Sequence, residues 1–245
     1  MPLAEEPMST RTNEHGQPIG PAVEGWRARA LPAAVTLEGR HGRLEPLDAA
    51  RHADDLAAAY LGAPDGRDWT YLPVGPFASV EQYRAYADGA ARSTDPRHYA
   101  VLDRATGRAV GTLALMRQDA AHGVIEVGSV TFSPDLQRTP LSTEAHYLLM
   151  AYAFDTLGYR RYEWKCDSLN APSRRAAERL GFRFEGVFRQ AIVYKGRSRD
   201  TAWYSILDIE WPRVKRAFAA WLAPENFDAD GRQRRALAEL REAAG

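Results

Sequence analysis

Cysteine is almost missing from this chain, because Cys166 is the only one in 245 residues. A single thiol excludes an internal disulfide framework and a zinc site built on cysteine pairs. The six histidines show no pair at metal-ligand spacing on a common helix face, so we expect no metal. Such sparing use of cysteine fits a reducing compartment, and we place the protein in the cytoplasm.

The sequence also lacks long apolar runs and an excess of charge of one sign. No segment approaches the roughly 18 consecutive apolar residues of a membrane helix. The polar, acidic start, MPLAEEPMSTRTNEHGQPIG, has no apolar centre of the kind that secretory signals need. Thirty-two basic residues balance 32 acidic ones, so no global field favours nucleic acid or an anionic membrane. We therefore predict no nucleic-acid partner and no membrane partner.

Polar residues, proline and glycine dominate residues 1–33, which cannot build a core of their own. We predict an extended or disordered arm there, with a lid across the site as the alternative. The remainder is long enough for one globular domain, predicted for residues 34–211. Residues 212–245 carry amphipathic patterns and are predicted to form a C-terminal helical extension.

Strand signals come first as hairpins and later alternate with helices. Residues 35–47 and 99–115 each hold two β-prone runs around glycine, which predicts two hairpins. From residue 124 onward the order is strand, helix, strand, helix and two strands. Tight turns between the early strands exclude a doubly wound parallel sheet. We predict an α+β (mixed α/β) fold with a central mixed, mostly antiparallel sheet flanked by helices.

Residues 124–149, VIEVGSVTFSPDLQRTPLSTEAHYLL, predict a strand that runs out, turns and opens a long helix. A helix N-terminus carries about half a positive charge and unpaired N–H groups, which suit a phosphate. The usual phosphate loops need glycine so that the backbone can approach closely, and residues 137–143 contain none. In place of the close backbone approach that glycine allows, an arginine in this turn supplies positive charge and three hydroxyls supply hydrogen-bond donors. The sequence supports equally well the alternative that these residues only cap an ordinary helix and bind no phosphate.

A second helix has both of its ends visible in the sequence NAPSRRAAERLGF. Asn170 is a good N-cap, Pro172 is tolerated in the first turn, and Gly181 occupies the usual left-handed stop.

Taken in this order, these features resemble the acetyl-CoA-binding core of the GNAT acyltransferases. The resemblance is closer to the branch that acetylates the N-termini of ribosomal proteins, and it runs from about residue 35 to residue 211. The features that carry it are Gln137 at the turn, Thr143-Glu144-Ala145, Leu157-Gly158-Tyr159-Arg160-Arg161, Asn170-Ala171-Pro172-Ser173, Leu180-Gly181-Phe182, Gly186 and the charged hairpin of residues 195–200.

One departure from the family pattern affects the cofactor. The family pattern at the pyrophosphate turn is Gln/Arg-x-x-Gly-x-Gly/Ala, whereas this chain has Pro140 and Ser142 at the two small positions. Proline donates no N–H, so we expect the phosphates on neighbouring N–H groups with help from an arginine and hydroxyls. The predicted cofactor-binding residues are Val130, Thr131, Phe132, Gln137, Arg138, Thr139, Leu141, Ser142, Thr143, Asn170 and Ser173.

The resemblance implies a GNAT-like fold and an enzyme that uses acetyl-CoA. The implied reaction is transfer of the acetyl group to a primary amine by direct attack. A protein N-terminus is the first expected acceptor and a small amine is the second. The alternative is a non-catalytic acyl-CoA-binding or regulatory module.

Acetyl transfer to an amine needs a base, donors for the carbonyl oxygen and an acid for the departing thiolate. Glu126, on the strand expected to line the acetyl group, is the candidate base. Its alternative role is a structural glutamate paired with a neighbouring strand. Ser173 is the candidate acid or sulfur-orienting hydroxyl, unless it joins the Asn170 cap. Backbone N–H groups of residues 130–132 are the expected oxyanion donors.

The acceptor site has only general signals, because aromatic and acidic residues serve equally well in a core. We expect Glu126 and Asp200 to attract an ammonium group. Cys166 continues an apolar strand face and is predicted to be a buried structural thiol. The apolar face of residues 211–222 offers a surface for a homodimer. The remaining predicted substrate-binding residues are Trp69, Tyr71, Tyr194 and Trp203.

Overall fold

The computed structural model describes residues 11–244, so the first ten residues of the predicted arm lie outside the described range. The strands are β1 (Arg11–Thr12), β2 (Pro18–Ile19), β3 (Leu37–Glu38), β4 (Gly42–Pro46), β5 (Arg97–Asp103), β6 (Ala109–Asp119), β7 (Val124–Phe132), β8 (Arg161–Asp167), β9 (Arg183–Tyr194) and β10 (Arg197–Leu207). The helices are α1 (Ala49–Leu61), α2 (Val80–Arg92), α3 (Pro140–Ala151), α4 (Ala171–Leu180), α5 (Trp211–Leu222) and α6 (Leu237–Ala243).

Eight of these strands form one sheet in the order β3-β4-β5-β6-β7-β8-β10-β9. Every neighbouring pair is antiparallel except β7 and β8, which are parallel. The predicted mixed, mostly antiparallel sheet is therefore confirmed. The single parallel pair arises because α3 carries the chain from one end of β7 back to the start of β8.

The parallel pair is short, and this shortness creates an opening in the sheet. Its register runs from Val124 opposite Arg161 to Val127 opposite Trp164. Beyond that point β7 continues to Phe132 and β8 continues to Asp167, but the two strands no longer pair. The sheet therefore divides between the C-terminal ends of β7 and β8.

Local signals set the helix ends, and those at Asn170 and Gly181 were read correctly from the sequence. The Asp48 carboxylate accepts from the N–H groups at the start of α1, and the Ser79 hydroxyl does the same for α2. Asn170 caps α4, and Gly181 ends it with a φ of 104°. The long helix predicted after β7 is present as α3, which ends at Ala151 and continues as a π-helical turn, Tyr152–Thr156.

Two hydrophobic cores lie on opposite faces of the sheet. The larger core joins side chains of the sheet, including Leu113, Ile125 and Tyr162, to α3, α4 and α5. The smaller one packs α1 and α2 over β5 and β6. The face of β7 and β8 that points away from α3 carries the charged side chains described below. Within residues 11–244 no helix is long and apolar enough to cross a membrane.

Residues 26–33 of the N-terminal arm pack at the start of β7, away from the opening in the sheet. Trp26 Nε1 donates to the Ala121 carbonyl at 2.9 Å, and the Arg29 N–H donates to the Ala120 carbonyl at 2.9 Å. The Ala33 N–H donates to Tyr152 Oη at 2.9 Å. Residues 26–33 are therefore draped over the β6–β7 turn and do not form a lid over the other end of β7.

The apolar face of α5 is used inside the molecule. Trp211, Val214, Phe218, Trp221 and Leu222 are all buried in the larger core. The sequence interpretation of this face as a dimer surface is therefore wrong, because its side chains pack on α3 and the C-terminal segment. The amphipathic pattern was correct, but the sequence alone did not show which partner covered it.

Candidate active site

Glu126 lies on β7 immediately before the strands separate. It is opposite Glu163 in the parallel register, and the next pair is the last one. Its side chain is 6% exposed. Glu126 Oε2 accepts from Lys165 Nζ at 2.8 Å and lies 3.2 Å from Arg117 Nε. No described residue donates a hydrogen bond to the other oxygen, Oε1.

Gly128 leaves space beside that second oxygen. Two residues after Glu126, it lies on the same face of β7, because side chains alternate along a strand. A Cβ atom at position 128 would be 3.6 Å from Glu126 Oε1 and would collide with Met116 Sδ. Any side chain here would fill the space between the carboxylate and Met116. The glycine thus keeps Oε1 accessible to a small group.

The surroundings of Glu126 favour a stronger base than an ordinary carboxylate. Burial raises the pKa of the Glu126 carboxyl above its usual value, because the charged form loses contact with water. The positive charges of Lys165 and Arg117 act in the opposite direction and limit that rise in pKa. The carboxylate therefore has an increased proton affinity while remaining held in one orientation.

A ladder of charged side chains extends from Glu126 across the sheet. Lys165 Nζ also donates to Glu163 Oε2 at 2.6 Å, and Arg161 Nε donates to Glu163 Oε1 at 2.7 Å. Lys165 Nζ lies 3.9 Å from the centre of the Trp203 ring. Glu126 thus has the cross-strand partner expected of a structural glutamate. Only one of its oxygens is used by these contacts, so the geometry is also that of an oriented base.

The backbone of β7 is irregular directly after Gly128. Ala114 of β6 is opposite Gly128, and the next register pair is Thr112 with Thr131. Ser129, with a φ of 49°, and Val130 have no counterpart in that register. A bulge of this kind re-aims backbone groups that the ladder would otherwise use. Val130 is one of the predicted oxyanion donors, whereas Thr131 and Phe132 remain opposite β6.

The turn before α3 is held together by its own side chains. The Thr139 hydroxyl caps α3 by accepting from the Ser142 N–H at 3.2 Å, and it donates to the Leu136 carbonyl at 2.7 Å. The Ser142 hydroxyl donates to the Thr139 carbonyl at 2.7 Å. Gln137 Nε2 donates to the Phe132 carbonyl at 2.9 Å, which ties the turn to the end of β7.

The same turn leaves donors free at the start of the helix. Arg138 adopts a φ of 63°, in the left-handed region that favours glycine, and its side chain is exposed. Within residues 11–244, no acceptor lies in hydrogen-bond geometry with the N–H groups of Arg138 or Leu141. The predicted donors at Thr139 and Ser142 are engaged within the turn. Two free N–H groups and an arginine at a helix N-terminus fit a phosphate.

His146 lies on α3 beside the opening between β7 and β8. Its ring packs between Phe132, with centroids 5.5 Å apart, and Trp164, with centroids 5.2 Å apart. Burial lowers the pKa of His146 to about 3, with a further contribution from the Arg179 charge, so the imidazole is neutral. Its Nδ1 atom is buried and has no hydrogen-bond partner. An unpartnered polar atom at this depth fits a ligand that enters between the strands, such as the amide-bearing arm of coenzyme A.

Ser173 occupies the first turn of α4, beside β8. Its N–H donates to Asn170 Oδ1 at 3.1 Å, so Asn170 provides the cap and the Ser173 hydroxyl does not. The Ser173 hydroxyl instead accepts from Trp164 Nε1 at 3.0 Å. The same hydroxyl also hydrogen-bonds to the Cys166 sulfur, so its proton is oriented toward a sulfur atom of the protein itself.

The predicted acceptor residues are brought together by a contact that we term the hairpin–loop clasp. Lys195 Nζ donates to the carbonyls of Trp69 at 2.9 Å and Val74 at 3.1 Å. Arg197 donates to the Thr70 carbonyl at 2.5 Å. The clasp fastens the loop that carries Trp69 and Tyr71 to the β9–β10 hairpin, which carries Tyr194, Asp200 and Trp203.

Individually, these residues have unequal access to a ligand. Trp69 is 5% exposed and lines a cavity of about 190 Å³ between α1 and α2. Tyr194 is buried and donates to Asp167 Oδ2 at 2.8 Å, and Asp200 Oδ1 accepts from the Gln190 N–H at 2.7 Å. Tyr71 and Trp203 are half-buried. Trp203 Nε1 has no partner among residues 11–244, and Lys165 connects this ring to Glu126.

Sequence reasoning missed several residues of this site, namely Arg117, Gly128, His146 and Lys165. Strand alternation alone places Gly128 on the face of Glu126, and Glu163 on the face of Lys165. That signal was present in the sequence. The pairing of β7 with β8 was not, because it depends on two segments that are more than thirty residues apart.

The other titratable residues are less suited to catalysis or to metal binding. Cys166 is 6% exposed, and burial raises the pKa of its thiol, which disfavours the reactive thiolate. No three side chains of His, Cys, Asp or Glu converge into a metal-binding group in the part of the chain that the structure describes.

Comparison with known proteins places this architecture in a family. The model of the acetyltransferase (GNAT) domain matches residues 43–183. A solved GCN5-related N-acetyltransferase from Brucella melitensis is 52% identical, with a TM-score of 0.88 over 90% of this chain and 100% of that chain. The uncharacterized N-acetyltransferase YnaD of Bacillus subtilis (strain 168) is 27% identical over 157 residues, 64% of this chain and 90% of YnaD.

A more distant structure shares the fold alone. RimJ of Mycobacterium smegmatis, solved in complex with CoA-disulfide, is 20% identical, with a TM-score of 0.61 over 76% of this chain and 95% of that chain. The resemblance seen in the sequence is thus confirmed by a domain model that matches more than half of the chain and by a solved relative with half of its residues identical. The protein belongs to the GNAT acetyltransferase family.

Proposed function

We propose that the protein transfers an acetyl group from acetyl-CoA to a primary amine by direct attack. The observation that carries this proposal is the position of Glu126, where β7 and β8 separate. One of its oxygens is fixed by Lys165, and the other faces the space that Gly128 leaves. The structure of RimJ with CoA-disulfide supports the choice of cofactor, because RimJ shares this fold.

When bound, acetyl-CoA supplies the activated thioester that the amine attacks. Glu126 Oε1 takes the proton that makes the amine an unreactive ammonium. The backbone N–H of Val130, in the bulge, donates to the carbonyl oxygen as negative charge develops on it. As the C–N bond forms and the C–S bond breaks, the departing sulfur takes up the second proton that the amine loses, and the Ser173 hydroxyl donates a hydrogen bond to that sulfur. Lys165 and Arg117 keep the Glu126 carboxylate in one orientation throughout.

For the acceptor, we propose a protein N-terminus, with a small amine as the second choice. The support is the resemblance of the turn and of α4 to the branch that acetylates ribosomal proteins. A buried carboxylate with one oxygen left without a donor also suits a cationic amine.

A non-catalytic acyl-CoA-binding module is the competing function. The observation in its favour is that Glu126 has the ion pairs of a structural residue. The two proposals differ in one measurable respect, which is turnover that depends on the acceptor.

The test measures thiol release from acetyl-CoA over a panel of peptides with free N-termini, the same peptides with blocked N-termini, and small amines. Glu126→Gln should lower kcat by about 10²-fold or more, because a lost general base costs that much, while the Kd for coenzyme A is retained. Glu185→Gln, at the outer end of the charged ladder, is the matched control. Binding of coenzyme A without release for any amine would instead support the module.

A further inference from the structure

Arg179 is fixed beside the first turn of α3 by contacts from three elements. It lies on α4 and donates through Nη1 to Thr143 Oγ1 at 3.1 Å. Its guanidinium carbon lies 5.1 Å from the centre of the Trp221 ring on α5. Its charge also reaches His146, one turn further along α3, where it helps to lower the pKa of that imidazole. Arg179 thus lies next to the helix start that carries free N–H groups.

The C-terminal helices hold the end of α4 that bears this arginine. Arg241 of α6 donates to the Arg179 carbonyl at 2.9 Å and to the Glu178 carbonyl at 3.3 Å. Trp221 is itself 4% exposed, and its Nε1 donates to Gln233 Oε1 at 2.8 Å. Trp221, Gln233 and Arg241 all lie beyond residue 183, where the family-model match ends. The support for Arg179 thus comes from residues outside the matched domain.

The charge of Arg179 is not balanced within the described structure. Neither Arg179 nor Arg138 forms an ion pair with a carboxylate of residues 11–244. The Arg179 side chain is exposed, so its guanidinium has donors left for a ligand in addition to the one on Thr143. Aromatic stacking orients a guanidinium without neutralising it. An oriented, unpaired guanidinium at a helix start is suited to a phosphate.

We propose that Arg179, held by Trp221 of the C-terminal extension, binds a phosphate group of coenzyme A beside the start of α3. The inference rests on the proposed function and adds a binding residue to it. It also accounts for the turn without glycine. Where Pro140 removes a backbone donor, a side chain from α4 supplies charge and donors. His146, whose Nδ1 is buried without a hydrogen-bond partner among the described residues, lies one turn along α3 from this helix start.

The test measures Kd by calorimetry for coenzyme A, dephospho-CoA and pantetheine, using the full chain. Arg179→Gln should weaken coenzyme A by about tenfold or more, because a charge-assisted pair is lost, and it should leave pantetheine unchanged. Arg179→Lys keeps the positive charge but loses the paired N–H donors of the guanidinium, so it should give an intermediate Kd for coenzyme A. Arg92→Gln, an exposed arginine on α2, removes the same charge elsewhere and should change nothing.

Dephospho-CoA identifies which phosphate is bound, and either result supports the proposal. If Arg179→Gln weakens binding of coenzyme A but not of dephospho-CoA, Arg179 binds the 3′-phosphate. If it weakens binding of both, Arg179 binds the pyrophosphate. Equal affinity of wild type and Arg179→Gln for both ligands would overturn the inference and leave the proposed function intact. Failure of the wild type to bind coenzyme A at all would overturn both.

A double-mutant cycle tests the role of Trp221. In the wild-type background, Trp221→Leu should raise the Kd for coenzyme A about threefold, which is the effect of losing an exposed cation–π contact. In the Arg179→Gln background, the same substitution should not raise this Kd further. Thermal unfolding verifies that each variant folds, and Trp221→Phe replaces the leucine variant if that one does not. Additive effects in the cycle would show that Trp221 does not act through Arg179.

Discussion

Glu126 meets two requirements that a catalytic carboxylate on a sheet must satisfy together, a fixed position and a free oxygen. Lys165 fixes Oε2, and the absence of a side chain at Gly128 leaves room at Oε1. The sequence predicted the residue type and the strand. It did not indicate that the two oxygens have different surroundings, because those surroundings come from β6 and β8.

The pH dependence of activity tests Lys165. A base must be deprotonated to work, so activity is present above the pKa of Glu126 and is lost as the pH falls through it. Lys165 lowers that pKa, and its removal should raise it. We therefore expect Lys165→Met to move the acidic limb of the kcat/KM profile to higher pH. Lys215→Met, at the exposed end of a separate ion pair, is the control. If the acidic limb of the profile stays at the same pH in Lys165→Met, Glu126 is not the general base.

Gly128 provides a steric test of the same oxygen. Gly128→Ala should push Met116 Sδ aside and fill the space at Glu126 Oε1, so we expect kcat/KM for the amine to fall about 10-fold to 100-fold. The Kd for coenzyme A and the unfolding temperature should change little, because the end of a methionine side chain adapts easily. Gly89→Ala, where a Cβ meets nothing within 4 Å, is the control. Unchanged kinetics in Gly128→Ala would show that the amine approaches from elsewhere.

At the scale of elements, local signals were sufficient to predict much of the fold. The cap at Asn170 and the stop at Gly181 are properties of a few adjacent residues, and both were read correctly. The early hairpins depend on short turns and were also predictable. The division of the sheet after Val127 and the π-helical turn at the end of α3 depend on packing between distant segments, which a single sequence does not show.

The hairpin–loop clasp makes a prediction for the acceptor. Lys195→Ala with Arg197→Ala removes the donors that fasten the hairpin to the carbonyls of residues 69–74. With the two elements no longer joined, we expect KM for the amine to rise several-fold, with a smaller change in kcat. The reason is that a mobile hairpin and loop weaken binding of the amine more than they slow the acetyl transfer itself. Steady-state kinetics at saturating acetyl-CoA give both constants.

Lys215→Ala with Arg92→Ala is the charge-matched control for the clasp variant, since neither residue contacts the hairpin. If the clasp variant shows a lower kcat and an unchanged KM, then the loop and hairpin serve the chemical step. That result would place the acceptor outside the region of Trp69 and Tyr194.

At the scale of the whole molecule, the sequence predicted the central domain better than its terminal segments. Residues 26–33 attach to the β6–β7 turn through Trp26 and Arg29, and α5 completes the larger core. Both attachments join segments that are distant in sequence. The apolar residues that make them were visible, but their partners were not, so a draped arm was one alternative among two and α5 was assigned to a dimer.

Buried histidines should make the whole fold sensitive to acid. Burial lowers the pKa of His52, His98 and His146, so each is neutral in the folded state and binds a proton more readily when unfolded. Their contribution to stability is present above pH 6.5 and is lost as the pH falls. For His146, with a pKa lowered from 6.5 to about 3, we expect a loss of about 2 kcal/mol between pH 7 and pH 4.5.

Urea unfolding at the two pH values measures this loss. His146→Phe keeps an aromatic ring between Phe132 and Trp164 and should reduce the pH dependence of the unfolding free energy. His122→Phe, at the exposed β6–β7 turn, should leave it as in the wild type. Equal pH dependence in wild type and His146→Phe would contradict the neutral, buried state of this imidazole.

Cys166 has a practical consequence that follows from its burial and its uniqueness in the chain. Thiol-reactive dyes that report released coenzyme A should meet almost no background from the protein, because the one native sulfhydryl is inaccessible. The same property makes the native sequence a ready background for site-specific labelling. A cysteine placed at Val193, which is 80% exposed on the hairpin, would accept a fluorophore or spin label that follows the motion of the hairpin during turnover.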